Sequence, residues 1–177
     1  RRYMEAARRA AGDEMDLMAD ANQTYDLPLA VSIGRLLEDL NYLWFEEPLP
    51  RADVAGYAQL CQRLDIGIAG GEGATSPQDI QALCQARAVN ITQPDVAGVG
   101  GLTPSRFLPT VAALWGTMPT WHVWNSALIH IATLHVLANQ QPWRLGSMEP
   151  EAPPLETTTM PNAMRESFFL DAPELGP

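Results

Sequence analysis

Along the chain, short apolar runs alternate with longer stretches whose apolar residues recur at helical spacing. The short runs predict strands at 16–20, 43–46, 66–70, 88–92, 118–123 and 144–149. Between them the pattern predicts helices at 26–40, 53–64, 76–86, 103–115 and 125–138. Asp53, Ser76 and Thr103 stand where N-terminal caps are expected, with Pro77 and Pro104 in the first turn, where a missing N–H costs little. Tyr3 to Ala11 has the pattern of a helix end, stopped at Gly12 and Asp13. Strands alternating with helices imply βαβ units around a parallel sheet. From Pro150 onward the pattern changes: six prolines and a threonine run exclude long regular elements. The expected organisation is a barrel-type domain over 1–149 and a Pro-rich segment, 150–177, laid on it.

Composition narrows the possible chemistry. The 177 residues suit one globular unit, and no uninterrupted apolar run is long enough for a membrane span. The first residues lack the apolar core of a secretory signal. Cys61 and Cys84 form no Cys-x-x-Cys pair and read as reduced thiols of a cytoplasmic protein. A formal charge of −10 disfavours a nucleic-acid surface. All eleven basic residues are arginines, so a lysine base, a Schiff base or a Walker lysine is impossible within these residues.

Chemistry-bearing side chains fall at the ends of successive expected strands: Asp20, Glu46, Glu72, Asp95, His122 and Glu149. They are separated by 26, 26, 23, 27 and 27 residues, about one strand, one helix and two loops. In a (β/α)₈ barrel all such ends open on one face. A lone acidic residue at a strand end simply faces water. Three carboxylates brought together would repel one another, and a hard divalent cation relieves that repulsion. Asp20, Glu46 and Glu72 are therefore expected to bind Mg²⁺, with Asn22 and Glu47 orienting them from behind. Asp95 next to His122 would fix the imidazole tautomer and raise its basicity, as a general base requires. Glu149, if buried, would titrate high and donate a hydrogen bond as a neutral acid. His130 and His135 fall inside an apolar helical run and read as packing residues. Gly98, Gly100 and Gly101 open a helix but make neither GxGxxG nor a Walker loop.

The ordered series Asp20-Ala21-Asn22, Phe45-Glu46-Glu47-Pro48, Gly70-Gly71-Glu72, Gln93-Pro94-Asp95 with Gly100-Gly101-Leu102-Thr103, and His122 resembles the barrel domain of the enolase superfamily. Within it the likeness is to the mandelate racemase branch, which includes acid-sugar dehydratases. The resemblance implies a partial (β/α)₈ barrel of about six βα units, strands three to eight. It implies Mg²⁺ on Asp20, Glu46 and Glu72, holding the carboxylate of a small 2-hydroxy acid or acid sugar. His122, oriented by Asp95, would move the proton next to that carboxylate, and Glu149 would stabilise the enediolate that results. Dehydration of an acid sugar is the expected reaction, with racemisation or epimerisation of a 2-hydroxy acid as the alternative. A non-catalytic, truncated barrel is a third reading. The full-length protein is expected to be a homo-oligomer with no nucleic-acid or membrane partner.

Two departures accompany the resemblance. The branch's Lys-x-Lys strand has no counterpart among these residues, and neither does its N-terminal α+β capping domain. Six strands of an eight-stranded barrel leave two open edges. Three origins are open: a piece of a longer enzyme, elements supplied by another chain, or a remnant.

Overall fold

The computed structural model describes residues 1–124, 126–141 and 154–157. The expected strand at 144–149, with Glu149, lies outside the described residues, as does most of the segment 150–177. The described residues hold five strands: β1 (Met18–Asp20), β2 (Trp44–Glu46), β3 (Gly67–Gly70), β4 (Ile91–Thr92) and β5 (Met118–Pro119). Seven helices accompany them: α1 (Arg2–Ala11), α2 (Leu27–Asp39), α3 (Val54–Arg63), α4 (Pro77–Gln85), α5 (Leu102–Ser105), α6 (Leu108–Leu114) and α7 (Ala127–Leu137). All strand pairs are parallel, and the sheet runs in sequence order from β1 to β5.

That order decides the architecture. A doubly wound sheet reverses its strand order at a switch point and carries helices on both faces. Here no reversal occurs, and right-handed crossovers place the helices on one face. The other face is then the inner side of a partial barrel, the fold that a singly wound parallel sheet builds. Side chains sort accordingly, because successive strand residues point to opposite sides. Trp44, Ala69 and Ile91, with Met118 against them, form the small inner cluster. Phe45 and Ile68, one position along, join Leu37, Leu49, Tyr57 and Leu60 in the large cluster under α2 and α3. Ile80, Cys84, Val99, Leu108 and Val136 build a second cluster under α4 to α7.

Local chemistry explains most element boundaries. Asp26 caps α2 by accepting from Leu29 N at 2.9 Å, and Asp53 caps α3 by accepting from Gly56 N at 2.9 Å. Ser76 and Asp79 form a reciprocal capping box on α4, with Pro77 in its first turn. Gly12 ends α1 at φ 75°. Arg8, although charged, is buried there because its guanidinium donates to four carbonyls, those of Leu40, Gly12, Met15 and Asn41.

The expected single helix over 103–115 is two helices. α5 ends at Ser105 and α6 begins at Leu108, with Pro109 in the first turn of α6, where its missing N–H is harmless. Gly101, not Thr103, is the N-cap of α5, and Thr103 and Pro104 lie inside that helix. β4 and β5 are shorter than expected for a related reason. Their pairing continues past Thr92, through Thr120 N to Thr92 O at 2.9 Å and His122 N to Pro94 O at 3.2 Å. Pro94 has no N–H to return, so the regular ladder stops and resumes as a bridge between Asp95 and His122.

Candidate active site

Strand register brings the expected residues together. Asp20 and Glu46, the last residues of β1 and β2, stand directly opposite each other. Ile91 with Met118, Thr92 with Pro119 and Asp95 with His122 share one offset of 27 residues, so the spacing of the acid–base pair is the register itself. Glu72 differs. It lies in the turn beyond β3, two residues past Gly70, rather than on the strand. The side chain still reaches the same face, because His122 Nε2 is 3.4 Å from Glu72 Oε2.

The imidazole of His122 is held between two carboxylates. Its Nδ1 lies 3.3 Å from Asp95 Oδ2, and Asp95 Oδ1 accepts from Ala97 N at 2.7 Å. Burial alone would depress the His122 pKa. The Asp95 hydrogen bond and the charges of Glu156 and Glu72 outweigh burial and leave it raised. Asp95 shows the mirror case: burial pushes its pKa up, but the His122 bond and two backbone N–H groups bring it below the usual value.

Glu46 and Glu72 are both raised, first by burial. Glu46 is opposed by hydrogen bonds from Gln93 Nε2 at 2.7 Å and Trp44 Nε1 at 3.2 Å, and pushed further by Asp20 and Glu156. Glu72 is pushed further by Glu47 and Asp20 and opposed by His122 and Arg51. Like charges lie near one another on this face. Among the described residues, however, no three His, Cys, Asp or Glu side chains close into a metal-holding group.

Arg51 takes a place that sequence reasoning did not assign. Its Nε donates to Glu47 Oε1 at 2.7 Å and its Nη2 to Glu47 Oε2 at 3.0 Å, while Nη2 also pairs with Glu72 Oε1. Glu47 is fully buried and sits at φ 36°, in the left-handed region. Its backbone accepts from Gln23 N at 2.7 Å and donates to Ala69 O at 3.1 Å, tying the β1 loop to β3. Gly73 leaves the room for Arg51, since a Cβ there would fall 2.6 Å from the Arg51 side chain. Asn22 meets Asp20 through its backbone N–H, at 2.8 Å. A cavity of about 360 Å³ behind Glu47 and Arg51, lined by Val54, Tyr57, Ala74, Leu83 and Val89, belongs to the helix side and does not reach His122.

Two more residues enter unannounced. Glu156 Oε2 accepts from Val123 N at 2.6 Å, which brings the Pro-rich segment beside the acid–base pair. Gln93, buried at β4, bridges toward Glu46. His130 and His135 are both on α7; His130 is buried and His135 exposed. Gly100 and Gly101 have positive φ and lead into the four-residue α5.

A singly wound parallel sheet with carboxylates and an Asp–His pair at its C-terminal ends defines a barrel-type domain. The chain belongs to the enolase C-terminal domain-like family, whose model matches residues 1–176. It is 38% identical over 142 residues to the L-talarate/galactarate dehydratase of Salmonella typhimurium, covering 80% of this chain and 35% of that protein. It is 33% identical to the D-galactarolactone cycloisomerase of Agrobacterium fabrum, covering 84% and 40%. Among solved structures, the 3,6-anhydro-D-galactonate cycloisomerase of Zobellia galactanivorans matches with TM-score 0.84 and 31% identity, over 94% of this chain and 44% of that one. L-talarate dehydratase from Polaromonas sp. JS666, complexed with Mg and L-glucarate, matches with TM-score 0.71 and 34% identity, over 84% and 38%. The chain thus spans less than half the length of these relatives. No helix among the described residues is long and apolar enough to cross a membrane.

Proposed function

We propose that the protein of which this chain forms the barrel portion is a Mg²⁺-dependent acid-sugar dehydratase of the cytoplasm, acting as a homo-oligomer. The observation that carries the reading is His122, with Asp95 at one ring nitrogen and the carboxylate face at the other. An imidazole so placed, with its pKa raised, suits removal of the weakly acidic proton next to a carboxylate.

The donor set fits the cation: Asp20, Glu46 and Glu72 offer only hard oxygens, and the nearby Asp20 adds to the burial that raises the other two. Magnesium, when bound there, would neutralise the charge that grows on the substrate carboxylate as the proton leaves. His122 takes the α proton at Nε2, while Asp95 holds Nδ1 and stabilises the imidazolium. The C–O bond to the 3-hydroxyl then breaks, that oxygen leaves as water with one added proton, and the enol tautomerises to a 2-keto-3-deoxy acid. Glu149, outside the described residues, is proposed as the hydrogen-bond donor to the developing oxyanion. Glu47 and Arg51 keep Glu72 in place.

Dehydration is preferred to racemisation because the likeness includes proteins named dehydratases, at 38% and 34% identity. Cycloisomerisation is a second reading, supported by the likeness to two proteins so named, one with TM-score 0.84. The deciding experiment incubates the full-length protein with Mg²⁺ and a panel of acid sugars and identifies the products by NMR. Loss of one water per turnover supports dehydration; an isomer of unchanged mass supports the second reading. Glu46→Gln is expected to remove Mg²⁺ binding in calorimetry, and His122→Asn to stop α-proton exchange in D₂O with Mg²⁺ binding retained. Unchanged binding or exchange would reject the corresponding role.

A further inference from the structure

Gln93 is 4% exposed, yet its two amide atoms have unequal fates. Nε2 donates to Glu46 Oε2 at 2.7 Å, whereas Oε1 is buried and has no hydrogen-bond partner among the described residues. A flipped amide does not resolve this, since it would turn the carbonyl oxygen against the Glu46 carboxylate and lose the only bond. A buried acceptor left unmade costs free energy, and such orphans in folded proteins call for an explanation.

The surroundings suggest one. Ile91 lies in the inner cluster, and Gln93, two residues on and still extended, turns its side chain to the same side, where it meets Glu46. The amide head therefore lies on the barrel interior, between Glu46 on β2 and the Asp95–His122 pair. Between them β3 contributes Ala69, which pairs with Glu46 on one side and Ile91 on the other. Its single methyl leaves space for Gln93 to reach across a strand. Gln93 thus forms the floor of the proposed site, with an acceptor and no donor to meet it.

We propose that Gln93 Oε1 accepts a hydrogen bond from an O–H group of the bound ligand, while Nε2 fixes Glu46. Two sources offer that chemistry: a hydroxyl of a polyhydroxy acid, and a water held by the cation. The inference rests on the proposed function, which supplies both. It makes Gln93 a residue that distinguishes hydroxylated acids from plain ones, because a buried acceptor rejects a ligand that cannot satisfy it.

The test uses the full-length protein and two variants, Gln93→Met, which keeps the length without the polar head, and Gln93→Asn, which withdraws the acceptor. Calorimetry would measure Mg²⁺ alone, then galactarate and adipate, the same carbon chain without hydroxyls, in saturating Mg²⁺. Both variants give up the Nε2–Glu46 bond, so Mg²⁺ affinity falls in either case; a hydroxyl partner predicts in addition galactarate binding weakened about tenfold in saturating Mg²⁺, and a galactarate-to-adipate preference reduced by the same factor. A cation-bound water predicts instead that the preference is kept while Mg²⁺ binding weakens more than in Trp44→Phe, which removes another donor to Glu46 and no acceptor; an equal weakening overturns the inference. A parent that binds as proposed while both variants match it, or lose both acids equally, overturns the inference alone. A parent that binds neither Mg²⁺ nor galactarate overturns the inference and the functional reading together.

Discussion

Asp95 and His122 are paired twice, once through a parallel backbone bridge and once through Oδ2 and Nδ1 at 3.3 Å. The main chain thus fixes the distance that the side chains use. Asp95→Asn should leave the bridge in place while removing the charge that raises the His122 pKa. The acidic limb of the rate profile should then move to lower pH, because a less basic imidazole sheds its proton sooner. The rate plateau should fall by about 10²-fold or more. A pH profile of α-proton exchange checks both, and an unmoved limb would reject the coupling.

Glu47 has its charge buried and is satisfied by Arg51, whose own side chain is 42% exposed. Arg51→Met should destabilise the fold by about 2–3 kcal/mol, below the value for a fully buried pair because solvent reaches the guanidinium. The double variant Arg51→Met with Glu47→Gln should recover much of that loss. Urea denaturation of the single and double variants measures it, and additive losses would contradict the account.

The capping box on α4 gives a pH-dependent expectation. Asp79 is held below its usual pKa, first by the Thr75 N–H, then by the Thr75 and Ser76 hydroxyls. A depressed pKa contributes stability that is present above the unfolded value of 3.8 and lost as pH falls through the lower folded value. Asp79→Asn should therefore cost stability at pH 7 and nothing near pH 2. Ser76→Ala should cost about 1 kcal/mol at neutral pH. Thermal melts across this range are sufficient.

Burial pushes the Cys61 thiol up to about 12. At pH 8 only about one thiol in 10⁴ would be ionised, so alkylation of native protein should be far slower than of the denatured chain. Cys84, also raised by burial, should behave alike. Fast labelling of either in the native state would contradict the packing of α3 and α4.

Much of the sheet was legible because βα units have a nearly constant length. The separation of Asp20 from Glu46, and of Asp95 from His122, equals the strand register seen in the fold. Glu72 was placed less well: its separation from Glu46 carried it past the strand into a turn, because β3 pairs at a shorter offset. The break between α5 and α6 was missed because Pro104 and Pro109 were not read as two separate first turns. Arg51 lies in the loop between Pro50 and Asp53, where no periodicity operates and only a long-range ion pair assigns a role. Gln93 stood in plain sight before Pro94 and Asp95, but its importance depends on which neighbour its amide meets. Gly73 offered a local signal for Arg51, as glycine after a site carboxylate leaves space for a bulky neighbour.

Ala69 has no functional group, yet a larger residue there would part Glu46 from Gln93 two strands apart. Ala69→Val is thus expected to weaken the proposed site at a position that a survey of reactive side chains would pass over. Anyone reshaping this pocket for another substrate must treat that methyl as the fixed point and widen elsewhere.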